Sequence, residues 1–483
     1  MNTTFSSDPK DLPRSLGALR QSPWGRAPLR GRSVRAELRH NLLRRLADGG
    51  PLFPGIIGYE DTIEPQIVNA ILSRHHFILL GLRGQAKSRL LRSVAGFLDE
   101  WMPAVAGSEV NDDPFAPISK YARERLAECG DATAIDWVHR DNRYVEKLAT
   151  PDVTIADLIG DLDPIKAARG GHLLSDELTM HFGLLPRANR GIFAINELPD
   201  LSSKVQVGLF NVMQEGDIQI KGYPVRLPLD VLLVFTANPE DYTARGKIIT
   251  PLKDRVGSEI ITHYPRTVEL GMAITAQEAW TDRSTVEVDV PSFILELVER
   301  VAFEGREDAR VDRKSGVSQR LPITVLENAV SGAERRAILA SGKRAVPRVS
   351  DVHGAVSSIT GKLELEYEGE LQGAETVARE LIRKAAGSLL DERADEISFD
   401  EIVQWFDGGG VLKFSPDEPA DVCLAGFSRV EGLVEAAVAA DLATRDDAER
   451  MVAACELILE GLAAWRRISR SDEMGWTRAR RAG

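Results

Sequence analysis

Gly81-Leu82-Arg83-Gly84-Gln85-Ala86-Lys87-Ser88 stands between an apolar run, Phe77 to Leu80, and a segment with apolar residues at helical spacing from Leu90 to Leu98. The order of strand, glycine-containing loop and helix is that of a phosphate-binding loop, because backbone N–H groups at the start of a helix converge on an anion. We therefore predict that all eight residues contribute to a site for nucleotide phosphates.

Two side chains at the end of this loop have chemistry suited to a nucleotide and its metal ion. We expect Lys87 to bridge the β- and γ-phosphates of ATP, and the Ser88 hydroxyl to bind Mg²⁺. Ala86 occupies the position where the strict phosphate-loop pattern has glycine. The alternative is an ordinary strand-to-helix turn with an exposed lysine.

A second buried strand, Gly191 to Ile195, ends in two polar residues, Asn196 and Glu197. Parallel sheets carry ligand chemistry at the carboxyl ends of their strands. Glu197 fits the residue that polarises the attacking water, and Asn196 fits the metal-holding position of a Walker B element. Asparagine keeps an oxygen ligand but lacks the charge of the usual aspartate, which predicts slow turnover. Both residues also suit the start of a helix, a role compatible with the first.

A third apolar run, Val231 to Ala237, ends at Asn238, which is placed to orient water near the γ-phosphate. Arg255 follows shortly afterwards and could stabilise transition-state charge in the site of a neighbouring subunit. Taken alone, Asn238-Pro239 is a turn signal and Arg255 a charged helix end. Strands that alternate with helices predict a parallel α/β sheet.

Composition excludes several classes of protein. A length of 483 residues predicts roughly two to four domains. A composition of 43% hydrophobic and 28% charged residues predicts that these domains have packed cores. The net charge of −13 argues against a protein that binds nucleic acid or anionic membranes mainly by electrostatics. Three distant cysteines predict neither a disulfide framework nor a zinc module, and favour the cytoplasm. No apolar run reaches the length of a membrane span.

Pattern changes along the chain predict four regions. They are a flexible basic leader with an N-terminal helix (1–50), an α/β nucleotide-binding core containing an irregular insert at 101–150 (51–266), an all-helical domain (267–368) and a helical C-terminal region (369–483). The arginine-rich stretch 466–481 is expected to be a frayed tail, and the basic segments at both ends are interpreted as solvated faces. An organelle transit peptide is the alternative for the first 40 residues.

The order of these motifs resembles that of the AAA+ ATPases of the MoxR and magnesium-chelatase ATPase-subunit group, over about residues 34 to 360. Further similar segments are Gly55–Glu60, Gly183–Ile192, Val205–Leu227 and Ser315–Arg320. The resemblance implies a P-loop AAA+ core followed by an all-helical lid, with ATP and Mg²⁺ as cofactors. It also implies that Asn238 is sensor 1, that Arg255 is an arginine finger acting in trans within a hexameric ring, and that Arg320 reaches the γ-phosphate from the lid.

The function implied by this resemblance is an ATP-hydrolysing motor that remodels a partner or assists metal or cofactor insertion. Members of the group typically act on a protein with a von Willebrand factor A domain. One alternative is a magnesium-chelatase subunit that powers Mg²⁺ insertion into protoporphyrin IX, and another is a low-turnover nucleotide switch. A transcriptional activator of the enhancer type would need an aromatic-Gly-Thr-Gly loop and a DNA-binding domain, neither of which is evident.

Overall fold

The computed structural model describes residues 9–170, 176–219, 226–239, 247–393, 397–471 and 475–479. The chain divides into two compact units. The first comprises Met1–Gly81 and Ala86–Thr262, and the second comprises Leu82–Gln85 and His263–Gly483.

The first unit is built around parallel strands with helices between them. Its helices are α1 (Leu16–Gln21), α2 (Val34–Asp48), α3 (Glu64–Leu72), α4 (Lys87–Val94), α5 (Lys120–Cys129), α6 (Ile155–Leu158), α7 (Pro164–Gly170), α8 (Leu184–Arg187), α9 (Ser203–Gly208), α10 (Phe210–Gln214) and α11 (Thr250–Arg255). Its strands are β1 (Phe77–Leu80), β2 (Trp101–Val105), β3 (Ile135–His139), β4 (Tyr144–Leu148), β5 (Gly160–Leu162), β6 (Met180–Phe182), β7 (Gly191–Asn196), β8 (Asp217–Gln219), β9 (Arg226–Pro228), β10 (Val231–Ala237) and β11 (Ser258–Ile261).

The second unit is mainly helical. Its helices are α12 (Val268–Glu278), α13 (Ser292–Glu307), α14 (Arg320–Leu339), α15 (Val349–Gly354), α16 (Val356–Thr360), α17 (Tyr367–Gln372), α18 (Ala374–Arg393), α19 (Asp400–Asp407), α20 (Ala420–Phe427), α21 (Leu433–Ala439) and α22 (Ala448–Ala464). Its short strands are β12 (Glu287–Val288), β13 (Arg344–Ala345), β14 (Ile468–Ser471) and β15 (Gly475–Arg478).

A five-stranded sheet in the order β11-β1-β10-β7-β4 forms the centre of the first unit, and all its strands are parallel. Every residue of β1, β7 and β10 is buried, which explains why these strands read as continuous apolar runs. The predicted α/β fold with a parallel sheet flanked by helices is confirmed. Among the described residues no helix is long and apolar enough to cross a bilayer.

The expectation of an irregular insert at residues 101–150 is wrong. This stretch contains β2 paired with β3, the helix α5, and β4, which is the outermost strand beside β7 in the central sheet. The side chains of β4 are at most partly buried, as is common for an edge strand, which here pairs with β7 alone. The polar residues that obscured the strand in the sequence therefore belong to the exposed part of a sheet edge.

The basic leader and the C-terminal tail are also ordered where the structure describes them. Leu16 and Leu19 are buried against Ile135, and the N–H of Leu16 donates to the Thr133 carbonyl at 2.9 Å. At the other end, β14 and β15 form a hairpin that buries Ile468 and Trp476. A flexible leader and a frayed tail were expected because arginines dominate both segments, but a few apolar side chains are enough to anchor each one.

A continuous apolar core joins the helices of the second unit from Phe293 to Trp476. The expectation of an all-helical domain at 267–368 and a helical C-terminal region at 369–483 is wrong at two places, the parallel pair β12-β13 and the antiparallel pair β14-β15. The segment 205–227, expected to be an insert typical of the group, contains α9, α10 and the strands β8 and β9. Residues 220–225 lie outside the described part of the chain.

A buried ion pair between Glu37 and Arg143 joins helix α2 to the start of strand β4. Arg143 Nη1 donates to Glu37 Oε1 at 2.7 Å, and Arg143 Nη2 donates to Glu37 Oε2 at 2.8 Å. Nη2 also donates to the Arg190 carbonyl at 2.6 Å. The Asp99 N–H donates to Glu37 at 2.7 Å. Burial alone would raise the pKa of Glu37, but Arg143 and the Asp99 N–H outweigh it and lower that pKa.

Replacement of Glu37 by glutamine is expected to lower the free energy of unfolding by about 3 to 5 kcal/mol, because it leaves the Arg143 charge buried and uncompensated. The carboxylate has a lower pKa folded than unfolded, so its contribution is full above the unfolded value of about 4.3 and is lost as pH falls through the folded value. Denaturant unfolding of both proteins should therefore converge at acidic pH.

The matched control is Glu128→Gln, which removes one member of an exposed pair with Arg125. It should change the unfolding free energy by less than about 0.5 kcal/mol. An equal loss in the two variants would show that burial of the Glu37 pair is not what matters.

Candidate nucleotide-binding site

The predicted phosphate loop contains two residues with a left-handed backbone. Gly84 has φ +76 and Ala86 has φ +53, both in the left-handed region. Lys87 follows as the first residue of α4, is only 8% exposed, and donates from its ammonium group to the Gly81 carbonyl. The lysine is thus folded back over the loop it ends, where a phosphate would lie among the N–H groups of the helix start.

The tip of the loop makes its contacts within the second unit. The Arg83 guanidinium pairs with Glu364 and donates to the Ser315 carbonyl at 3.3 Å. The Tyr264 hydroxyl donates to the Arg83 carbonyl at 3.0 Å, and burial raises the pKa of Tyr264 to about 12, which keeps it a donor. In this structure the Arg83 side chain is therefore paired with Glu364.

Gly84 cannot be replaced without strain. A Cβ atom there would lie 2.0 Å from the Ser318 hydroxyl oxygen, and the positive φ independently disfavours a side chain. Glycine is required at this position for both reasons, although the phosphate-loop pattern leaves residue 84 unspecified.

Ser88, Asn196 and Thr236 meet at the carboxyl edge of the sheet. The Ser88 hydroxyl donates to Asn196 Oδ1 at 3.4 Å, and the Thr236 hydroxyl donates to the same oxygen at 3.1 Å. Asn196 is 8% exposed and Thr236 is 1% exposed. Hydroxyl and amide oxygens are hard ligands of the type Mg²⁺ prefers, so this donor set fits a nucleotide-bound magnesium ion.

Glu197 begins the turn after β7 in a left-handed conformation, with φ +55. Its N–H donates to the Thr236 hydroxyl at 3.1 Å, while its side chain makes no capping hydrogen bond to the short helical turn Leu198–Asp200. A non-glycine residue held at positive φ is a strained feature that clusters at functional sites. This carboxylate stays the predicted active-site residue, a role compatible with its place at the start of the helical turn.

Two residues of the site were missed by sequence reasoning. Thr236 lies inside an apolar run and reads as one more buried strand residue. Glu146 lies on β4, and its carboxylate accepts from Asn196 Nδ2 and, at 2.8 Å, from Arg92 Nε. An acid within the sequence Tyr144 to Leu148 gave no local signal, since only the pairing of β4 with β7 brings it to Asn196.

Three further predicted residues follow β10, end α11 and begin α14. Asn238 directly follows β10. Arg255 ends α11, donates to Gln214 Oε1 at 2.9 Å and to the Pro251 carbonyl at 2.7 Å, and lies 4.9 Å from the ring centre of Phe210. Arg320 is the exposed first residue of α14, in the second unit. The roles of Asn238, Arg255 and Arg320 stay predictions.

Comparisons with known proteins place these features in context. A family model described as the Sigma-54 interaction domain matches residues 169–256. The magnesium-chelatase 38 kDa subunit of Cereibacter sphaeroides is 27% identical over 359 residues, which cover 72% of this chain and 93% of the relative. The hydrogenase transcriptional regulatory protein HoxA of Cupriavidus necator is 33% identical over 87 residues, or 18% of each chain.

Among solved structures, a chain in the cryo-EM-based complex between subunits BchI and BchD of magnesium chelatase is 22% identical, with a TM-score of 0.35. The match covers 67% of this chain and 99% of that one. The family match and the chelatase relative confirm the prediction of an ATP-hydrolysing P-loop enzyme with an AAA+ domain, homologous to the magnesium-chelatase 38 kDa subunit.

Replacement of Lys87 by alanine should abolish ATP binding, because it removes the buried cation that faces the phosphates. Titration with a fluorescent ATP analogue would measure the affinity, with the thermal midpoint recorded to verify folding. Lys204→Ala, at an exposed position on α9, should leave the affinity unchanged. Unchanged affinity in a folded Lys87→Ala protein would contradict the assignment of the loop.

Replacement of Ala86 by glycine is expected to raise the free energy of unfolding by about 0.5 to 1 kcal/mol. The left-handed conformation costs an L-residue about 1 to 2 kcal/mol, and the added freedom of glycine in the unfolded chain offsets part of that gain. Ser341→Gly is the matched control, since Ser341 is exposed in the second unit with φ +55. Both variants should gain stability in denaturant unfolding. A loss of stability in Ala86→Gly alone would show that packing of the Ala86 methyl group stabilises the fold by more than the left-handed conformation costs.

Proposed function

We propose, from the premise that the chain is an AAA+ ATPase homologous to the magnesium-chelatase 38 kDa subunit, that it is a MoxR-like motor that remodels a partner protein. The observation that carries this proposal is the meeting of Ser88, Asn196 and Thr236 at the sheet edge, next to the buried Lys87. Hydroxyl and amide oxygens that meet beside a buried lysine fit a site for a phosphate-bound magnesium ion.

Each residue has a distinct part in the proposed chemistry. Lys87 and the N–H groups at the start of α4 bind the β- and γ-phosphates, and the hydroxyl of Ser88 with the amide oxygen of Asn196 would hold Mg²⁺ directly or through water. Bound Mg²⁺ would neutralise charge that develops on the phosphates. Glu197 orients and polarises the attacking water, and Asn238 helps to position it.

The proposed assembly is a homo-oligomeric ring, with a hexamer as the expected form, in the cytoplasm. Arg255 would then serve the site of the neighbouring subunit. A second protein with a von Willebrand factor A domain is the proposed partner, through which the motor would mature a metalloprotein or support metal insertion. We expect no stable binding to nucleic acid and none to membranes.

A magnesium-chelatase ATPase subunit is the second candidate. In its favour, the similarity extends over 93% of the length of the chelatase relative. Against it, more than a quarter of this chain lies outside that alignment, and the C-terminal region does not resemble the short chelatase subunit. Reconstitution with the other two chelatase subunits and protoporphyrin IX distinguishes the candidates, since only the second predicts ATP-dependent formation of the magnesium porphyrin.

A low-turnover nucleotide switch is the third candidate, because Asn196 brings no charge to the metal and Ala86 stands in place of glycine. Steady-state hydrolysis of Mg·ATP over a series of protein concentrations separates it from a motor. A rate per subunit that rises with concentration and disappears in Glu197→Gln supports an assembling ATPase. A rate no higher than that of Glu197→Gln, with ATP still bound, supports the switch.

Replacement of Arg255 by alanine should leave ATP binding intact and lower hydrolysis by about 10³-fold, as loss of an arginine finger does. If Arg255 acts in trans, mixing Arg255→Ala with Glu197→Gln should restore part of the activity. In such a mixed ring, some interfaces combine an intact Glu197 from one subunit with an intact Arg255 from the next.

The control for this experiment is Lys253→Ala, which removes an exposed cation from the same helix. It should retain full hydrolysis. Two inactive variants that stay inactive when mixed, in a sample shown by size-exclusion chromatography to assemble, would place Arg255 in its own subunit's site or outside any site.

A further inference from the structure

Glu146 contacts the residue that stands in the metal-holding position. The strand β4 pairs with β7 so that Glu146 lies opposite Ala194, and Ala194 and Asn196 project to the same face of β7. From that position the Glu146 carboxylate reaches Asn196 diagonally and accepts a hydrogen bond from its Nδ2. The contact therefore links the outer strand of the sheet to the proposed metal site.

This hydrogen bond determines which end of the Asn196 side chain faces the metal site. An amide has one end that donates and one that accepts. Because Nδ2 donates to Glu146, Oδ1 is directed to the Ser88 and Thr236 hydroxyls, from which it accepts at 3.4 and 3.1 Å. A rotated amide would turn a donor toward a cation.

Glu146 also places a negative charge directly beside the neutral Asn196. Arg92 neutralises this charge in part, since it donates to Glu146 at 2.8 and 3.2 Å. The Arg92 side chain is 65% exposed whereas that of Glu146 is 21% exposed, so water screens the arginine more than the carboxylate. On the side next to Asn196, the Glu146 carboxylate is therefore the less screened charge of this pair.

We propose that Glu146 is a positioning residue for Mg²⁺, which fixes the Asn196 amide with its oxygen toward the metal and supplies the charge that asparagine lacks. The proposal rests on the proposed nucleotide function and adds a residue to its metal site. Groups that orient metal ligands contribute about 10- to 100-fold in metal affinity.

The experiment measures how strongly Mg²⁺ enhances nucleotide binding, without any need for turnover. The dissociation constant of a fluorescent ATP analogue is determined in EDTA and in excess Mg²⁺. The value in EDTA divided by the value in Mg²⁺ is called the magnesium ratio. Glu146→Gln should lower this ratio about tenfold, because charge is lost although a glutamine oxygen can still accept from Asn196. Glu146→Ala should lower it further, because orientation is lost as well. Neither should change the affinity in EDTA by more than about twofold.

Moving the negative charge from residue 146 to residue 196 tests the pair directly. Asn196→Asp alone should give no gain in the magnesium ratio, because the new carboxylate faces that of Glu146 without a proton donor between them. The double variant Asn196→Asp with Glu146→Gln should restore at least the wild-type ratio, since the glutamine amide can donate to the aspartate. A role confined to holding the strand would not produce this rescue.

Arg92→Gln is the matched control, because it removes the exposed partner of Glu146 and leaves the contact with Asn196. Its magnesium ratio should equal or exceed that of the wild type. A wild-type ratio in Glu146→Gln, or an equal loss in Arg92→Gln, would overturn the role of Glu146 while the nucleotide function stands. Failure of the wild-type protein to bind the analogue in either condition would overturn the nucleotide function itself.

Discussion

The parallel register of β1, β10, β7 and β4 is the constraint on which the site depends. It brings the carboxyl ends of the strands to one edge, where the hydroxyls of Ser88, in the first turn of α4, and Thr236, in β10, both donate to the amide oxygen of Asn196 in β7. Side chains alternate between the two faces of a strand, so a slip of one residue in β7 would turn Asn196 to the opposite face and disrupt the packing on both buried faces. The burial of β7 and β10 on both faces makes such a slip costly, and this fixes the polar cluster.

The opposite edge of the sheet is held by the Glu37–Arg143 ion pair. Arg143 directly precedes β4, and its guanidinium also donates to the carbonyl of Arg190, which directly precedes β7. The strands β4, which carries Glu146, and β7, which carries Asn196, are thus joined at their amino-terminal ends by one buried side chain. Arg143 therefore fixes the spacing of the two strands that carry Glu146 and Asn196.

The sequence was sufficient for features that depend on local pattern. The phosphate loop, the buried strands β7 and β10 and the polar residues that end them follow from apolar runs and turn chemistry. The strand β4 and the hairpin β14-β15 were missed because each buries only part of its surface, and polar or basic residues hide the alternation. Glu146 could not have been assigned at all, because its role comes from a partner 50 residues away that only strand pairing reveals.

Ala86 and Glu197 extend this reasoning to the backbone. Both hold left-handed conformations that glycine would adopt without strain, and they stand on either side of the Ser88–Asn196 contact. A side chain at such a position restricts the alternatives open to the loop, so the phosphate site is held in one shape before nucleotide arrives. Rigid positioning of this kind offsets part of the entropy lost on binding. The departure from glycine at residue 86 is then compatible with nucleotide binding, and the neutral residue at position 196 becomes the feature that the surrounding charges must compensate.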